Sequence, residues 1–174
     1  MFVDKGEVGK VQLETRFGTI AVEEDQIINF PRGILGFGDY HRYVLVEREN
    51  SSFCLLQSVD EPGLSFVVIM PELVRADYEV ELSDEEIELL QIGSPEDGRV
   101  FGIVTIPENV AEMTVNLQAP VVINTKDKLG AQLIISGDKY HTKHNVLAEM
   151  HKNAYLLQQK SKEQQSAEEV PESV

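Results

Sequence analysis

A few side chains in this 174-residue sequence have types and spacings that could do chemistry. Cys54 is the only cysteine, so no internal disulfide forms and a reducing cytoplasm is the natural compartment. It sits in "FCLLQ" with no adjacent His, Lys or Arg to lower a thiol pKa, which suits a packed thiol better than a nucleophile. His141, His144 and His151 have spacings that could share a helix face, as metal ligands do. Tyr140-His141 reads as a strand end, however, and no carboxylate or cysteine completes the set, so surface histidines are expected and no metal. Carboxylates crowd Asp84–Glu88, but on an open helix water solvates them alike, and nothing separates an acid from a base. No Walker loop, G-x-S-x-G elbow or H-E-x-x-H pair occurs, and "GILGFG" lacks the spacing of a dinucleotide fingerprint. The expectation is therefore no catalytic residue, no cofactor and no enzyme. The rival, an enzyme for a small cationic or neutral substrate, requires a deep pocket holding two carboxylates of raised pKa.

Charge points elsewhere. Thirty acidic against fifteen basic residues give −15. Phosphate backbones repel such a surface, and no concentrated basic patch offsets it, so direct nucleic-acid binding is not expected. A basic protein partner is instead attracted from a distance, and faster at low salt. No apolar run approaches membrane-spanning length, and Met1 leads into "FVDKGEVGKVQLE" without a basic or apolar signal region. Neither membrane insertion nor secretion is expected.

The elements that must position these charges are mostly short strands. "VQLETR", "GTIAVE", "QIINF", "YVLVER", "FCLLQSV", "SFVVIM", "RVFGIVTI", "MTVNLQ", "PVVINT" and "AQLIIS" follow at close spacing, divided by turn formers such as Asp60-Glu61-Pro62-Gly63. Ten such runs without alternating long helices predict a mainly-β fold, a small antiparallel β-barrel-like domain, over residues 1–143. Residues 144–174 change character. Val146, Leu147, Met150, Ala154 and Leu157 have helical spacing, which predicts a helix from about His144 to about Lys160 and a frayed polar tail after it. Its apolar stripe docks either on the barrel or on another chain.

The acidic middle has two parts. In "DYEVEL", Tyr78, Val80 and Leu82 alternate with Asp77, Glu79 and Glu81, as in a strand with one carboxylate face. "SDEEIELLQI" opens with a capping box, Ser83 to Glu86, and so predicts a short acidic helix. Two readings stand side by side: an edge strand and helix solvated by their charge, or a negative surface that docks a basic partner. "VFGIVTIP" and "PVVIN" are apolar on both faces, so their outer face is either covered by the terminal helix or a second sheet, or exposed as a partner patch with Pro107 and Asn124 at its edge. "NFPRGILGF" combines turn residues with large apolar ones. It reads as a lid on one barrel end with Phe30 and Phe37 inward, or as a contact loop presenting Ile34 and Leu35.

"FPRGILGF", "LLQSVDEPGLSFVV", "MPELVRADYEVEL", "VFGIVTIP", "NLQAPVVIN" and "LGAQLIISGDKYHTKHNVL" occur in the order and approximate spacing of the flagellar assembly factor FliW, which residues 10–147 resemble. Many members have proline where Leu35 stands, and the extension after about Met150 is longer than in many. The resemblance implies a cytoplasmic bacterial protein, monomeric when free, with no catalytic activity. FliW proteins bind flagellin before export. They also bind CsrA, a small dimeric protein that represses flagellin translation by holding its messenger RNA leader. On this reading Glu72, Asp77, Glu79 and Glu81 supply the acidic part of the partner surface, and Ile103, Thr105, Pro107 and Asn124 the apolar part. A general export chaperone for flagellin helices, without a regulatory role, is the alternative.

Overall fold

The structure is a computed structural model that describes residues 9–168. Its strands are β1 (Lys10–Thr15), β2 (Gly18–Glu23), β3 (Ile28–Asn29), β4 (Arg42–Val46), β5 (Phe53–Ser58), β6 (Ser65–Ile69), β7 (Gly98–Thr105), β8 (Thr114–Asn124), β9 (Leu129–Gln132) and β10 (His144–Asn145). Two α-helices join them, α1 (Asp84–Leu90) and α2 (Val146–Glu168).

Strands β3 to β8 run in sequence as antiparallel neighbours, and β9 then pairs with β8 on one side and β3 on the other. The sheet thus closes on itself, which removes the free edges an open sheet would expose. The β3–β9 contact, Asn29 opposite Leu129, is the parallel one. β10 adds to the N-terminal end of β8, and β1–β2 form a separate hairpin. The mainly-β barrel predicted from the strand runs is therefore the fold.

Several details differ from the sequence reading, among them "AQLIIS", whose strand stops at Gln132. "MTVNLQ" and "PVVINT" are a single strand despite Pro120. Phe101 lies opposite Val121 but Ile103 opposite Asn116, so residues 117–120 bulge out of the ladder, where the missing Pro120 N–H is not needed. The Asn116 side chain accepts from the Gln118 and Ala119 N–H groups at 3.1 and 2.9 Å, holding the corner. In addition, α2 runs on to Glu168 rather than ending near Lys160, and the tail expected beyond it, at 169–174, lies outside the described residues.

The barrel is filled by Phe30, Tyr43, Leu56, Val68, Phe101 and Val121, among others. Burying each side chain of this kind contributes about 1.5–3 kcal/mol. Phe30 comes from the "NFPRGILGF" loop, is fully buried, and meets Tyr43 edge-on with ring centroids 5.1 Å apart. Its ring lies over Gly130, where an added Cβ would stand 2.4 Å from Cζ, so β9 can close the barrel here only without a side chain. Gly33 turns the loop at φ +65°, pressed against the Gly38 backbone. The loop does cap the barrel, but Ile34 is the second inward residue and Phe37 is 40% exposed, leaning edge-on against Phe66. Ile34 is thus core, while Leu35 beside it is exposed.

The outer faces are covered piecemeal. Leu13 and Val22 of the hairpin pack over Val44. Leu90 of α1, with Val80 and Leu82, packs over Val122, Ala131 and Leu133. The acidic middle shields Val100 and Val122 of the doubly apolar strands, while Val146 of the terminal helix joins Val104 in a neighbouring cluster. α2 buries only Val146 fully, with Met150 half-buried, while Leu147, Ala154 and Leu157 stay exposed.

Candidate functional site

The carboxylates of residues 77–81 are set by where their neighbours go. Tyr78, Val80 and Leu82 point inward, so Asp77, Glu79 and Glu81 point to water, as the alternation predicts. The segment is nevertheless not a strand and pairs with no ladder among the described residues. Side chains anchor it instead. The Tyr78 hydroxyl donates to the Leu117 carbonyl at 2.7 Å, and its ring lies 4.6 Å from that of Tyr140. The Glu79 N–H donates to the Tyr140 hydroxyl at 3.3 Å. Burial pushes the Tyr78 phenol far above its usual value, with the neighbouring Tyr140 adding to the shift.

Helix α1 continues the acidic face. Ser83 Oγ accepts from the Glu86 N–H at 3.2 Å and Glu86 returns the bond to the Ser83 N–H at 2.8 Å, the reciprocal cap expected from the sequence. Asp84, Glu85 and Glu88 are exposed. Glu85 pairs with Arg32 at 2.5 Å, which ties the loop that caps the barrel to this face. Both side chains are more than half exposed, so the pair guides the loop more than it stabilises it. Asp77 is held by Arg75 through two bonds of 3.1 and 3.0 Å, and that guanidinium keeps its carboxyl below the usual range.

Two adjoining troughs run beside this ridge. One, about 430 Å³, is lined by Val80, Leu82, Ile87, Ile92, Val100 and Val122. The other, about 210 Å³, shares Val80 and Val100 and adds Glu72 and Arg99. Glu72, exposed on the turn after β6, therefore joins the acidic group that the sequence assigned.

The apolar group does not come together as expected. Ile103 packs partly buried against the barrel's inner cluster, so it is not the centre of an outward patch. Thr105 is exposed and Pro107 half-buried at the far end of β7, beside Ile106, which is 50% exposed. Asn124 is fully buried and cannot contact a partner. Its amide donates toward the Leu90 and Gln91 carbonyls, and its oxygen accepts from the Lys126 and Asp127 N–H groups. It fastens α1 to the barrel. Sequence reasoning also missed Tyr140, whose role depends on a contact across more than sixty residues that no local pattern signals.

The remaining chemical candidates sit in ordinary surroundings, but of the three histidines expected at the surface only His141 and His151 are exposed, and His144 is buried. Cys54 is half-buried, and burial pushes its thiol up. His141 and His144 precede α2, with rings stacked 5.4 Å apart, and His144 Nε2 accepts the His141 N–H at 2.8 Å. Among the described residues no three His, Cys, Asp or Glu side chains gather as metal ligands, and no helix is long and apolar enough to cross a membrane.

Residues 12–146 match the family model described as FliW protein. The chain is 45% identical over 143 residues to the flagellar assembly factor FliW of Alkaliphilus metalliredigens, covering 80% of this chain and 88% of that one. It is 43% identical over 141 residues to that of Treponema pallidum, covering 81% and 93%. A crystal structure of the flagellar assembly factor FliW superimposes with a TM-score of 0.74 at 38% identity, over 78% of this chain and 96% of that one. A match across the whole barrel, with the acidic ridge and its anchors inside it, places this chain in the FliW family of flagellar assembly factors.

Proposed function

We propose that this protein is a cytoplasmic, non-enzymatic partner switch that binds flagellin and the translational regulator CsrA, and so relieves CsrA repression of flagellin messenger RNA. The observation that carries this reading is the acidic ridge. From Ala76 to Gly98 the sequence has carboxylates and no Lys or Arg, and the exposed ones stand on a segment anchored from beneath by Tyr78, Val80 and Leu82. An RNA-binding dimer presents Lys and Arg to phosphates. Carboxylates within a Debye length of about 8 Å lower that potential without occupying the phosphate sites. A switch also requires flagellin and CsrA to bind with negative coupling, and overlapping surfaces are the simplest source of it.

The test is to titrate this protein into a preformed CsrA–leader RNA complex, follow RNA release, and repeat with flagellin added. Release that flagellin reverses supports the switch. Flagellin binding without CsrA binding supports instead an export chaperone with no regulatory role, and detaches the ridge from translation.

A further inference from the structure

The family match ends at residue 146, where α2 begins, so the body of this helix is an addition to the barrel. It builds one wall of a groove of about 460 Å³ whose opposite wall is residues 74–77. The Asn153 side chain accepts the Ala76 N–H at 3.0 Å and pins the helix beside that wall. Val74, Ala76, Leu156 and Leu157 supply apolar lining, and Leu156 and Leu157 are 58% and 54% exposed.

The charges lining the groove are unequal in what they leave available. Of its two carboxylates, Asp77 is paired with Arg75, and Glu149 lies 3.5 Å from the His144 ring, a contact that is ionic only when that ring is protonated. Lys152 and Lys160 also line it, and neither forms an ion pair among the described residues. Two ammonium groups thus stand two helical turns apart, roughly 12 Å along the axis, beside exposed leucines on a chain of net charge −15. From Glu149 to Lys160 the wall is roughly 16 Å long, the length of a three-turn helix.

We propose that this groove docks an amphipathic helical segment of a protein partner whose apolar side chains are flanked by Asp or Glu. Leu156 and Leu157 take the apolar face over a floor in which Val74 is fully buried, and Lys152 and Lys160 take the carboxylates. The two surfaces meet at Asp77, which Arg75 pairs, and the groove's lysines favour an occupant opposite in charge to one the acidic ridge attracts. The assignment is independent of the partner-switch reading.

The probe is a fluorescent 18-residue helical peptide with leucines on one face and glutamates flanking them, paired with a twin carrying lysines in place of the glutamates. Anisotropy titrations use the full chain, and sedimentation velocity follows the chain alone. The glutamate peptide is expected to bind, and Lys152→Glu with Lys160→Glu to weaken it about tenfold or more. Leu156→Ser with Leu157→Ser is expected to weaken it similarly without changing the thermal melt, because both side chains are exposed. Any binding of the lysine peptide is expected to be unaffected or strengthened by the lysine reversals. Failure of the glutamate peptide to bind, or binding indifferent to both double variants, overturns the proposal. A concentration-dependent dimer abolished by the lysine reversals also overturns it, because the occupant is then a second copy.

Discussion

The side-chain amide of Asn124, on β8, donates to the carbonyl oxygen of Leu90 at 2.8 Å, joining the end of the acidic helix to the barrel wall. A second contact, to Gln91 at 3.1 Å, reaches the next carbonyl. Helix C-termini leave carbonyls without partners, and a buried one is costly unless something donates to it. Asn124→Ala removes that donor and leaves the buried Leu90 carbonyl without this partner. The expected loss is about 2–4 kcal/mol, read by urea denaturation, with α1 amides losing hydrogen-exchange protection first. Uniform loss of protection would show that α1 does not depend on this anchor.

Ile103 and Ile106 separate core from surface three residues apart. Ile103→Asp places a carboxylate against the inner cluster and is expected to cost about 3 kcal/mol or more. Ile106→Asp, at a side chain 50% exposed, is expected to change stability by less than about 0.5 kcal/mol. Equal effects in thermal melts would contradict the inward packing of Ile103.

Glu79 and Glu81 point to water and contribute little to folding, so Glu79→Lys with Glu81→Lys should leave the melting temperature nearly unchanged. With CsrA as partner, the association rate should fall several-fold at low salt and much less near physiological ionic strength. Stopped-flow association at two salt concentrations checks this. A rate insensitive to the reversal at low salt removes these two carboxylates from steering.

Alkaline pH tests the buried phenols. Tyr43 is pushed up to about 12 and Tyr78 higher still, both chiefly by burial. In the unfolded chain each ionises near pH 10, whereas the folded chain keeps the proton. The unfolded state therefore binds fewer protons above pH 10, and stability falls there by up to about 1.4 kcal/mol per pH unit per tyrosine. Tyr78→Phe should make that decline shallower, at the cost of its bond to Leu117 at neutral pH. An unchanged slope between pH 10 and 11.5 would mean that the phenol is not shielded.

Much of this was legible in the sequence because it depends on neighbours along the chain. Alternation of Tyr78, Val80 and Leu82 with three carboxylates told which side chains face water, and Ser83 with Glu86 announced the start of α1. Pleat and helix periodicity are local properties, and a single sequence carries them. Strand status for residues 77–82 was not local. An extended segment becomes a strand only when another edge pairs with it, and here the barrel had already closed through β9 and β3.

Identity of residue type also failed to reveal burial where hydrogen bonding decided it. Asn124 ends an apolar run and looked like a rim residue, yet it is fully buried beneath the carbonyls of Leu90, the last residue of α1, and of Gln91 after it. Ile103 looked outward because both faces of β7 are apolar, and the sequence could not tell what covers either one. Composition and periodicity determined a mainly-β chain with an acidic, solvent-facing middle. Tertiary structure decided that this middle itself covers the part of the barrel's outer wall formed by Val122, Ala131 and Leu133, because only closure of the sheet shows which apolar face is left for it to shield.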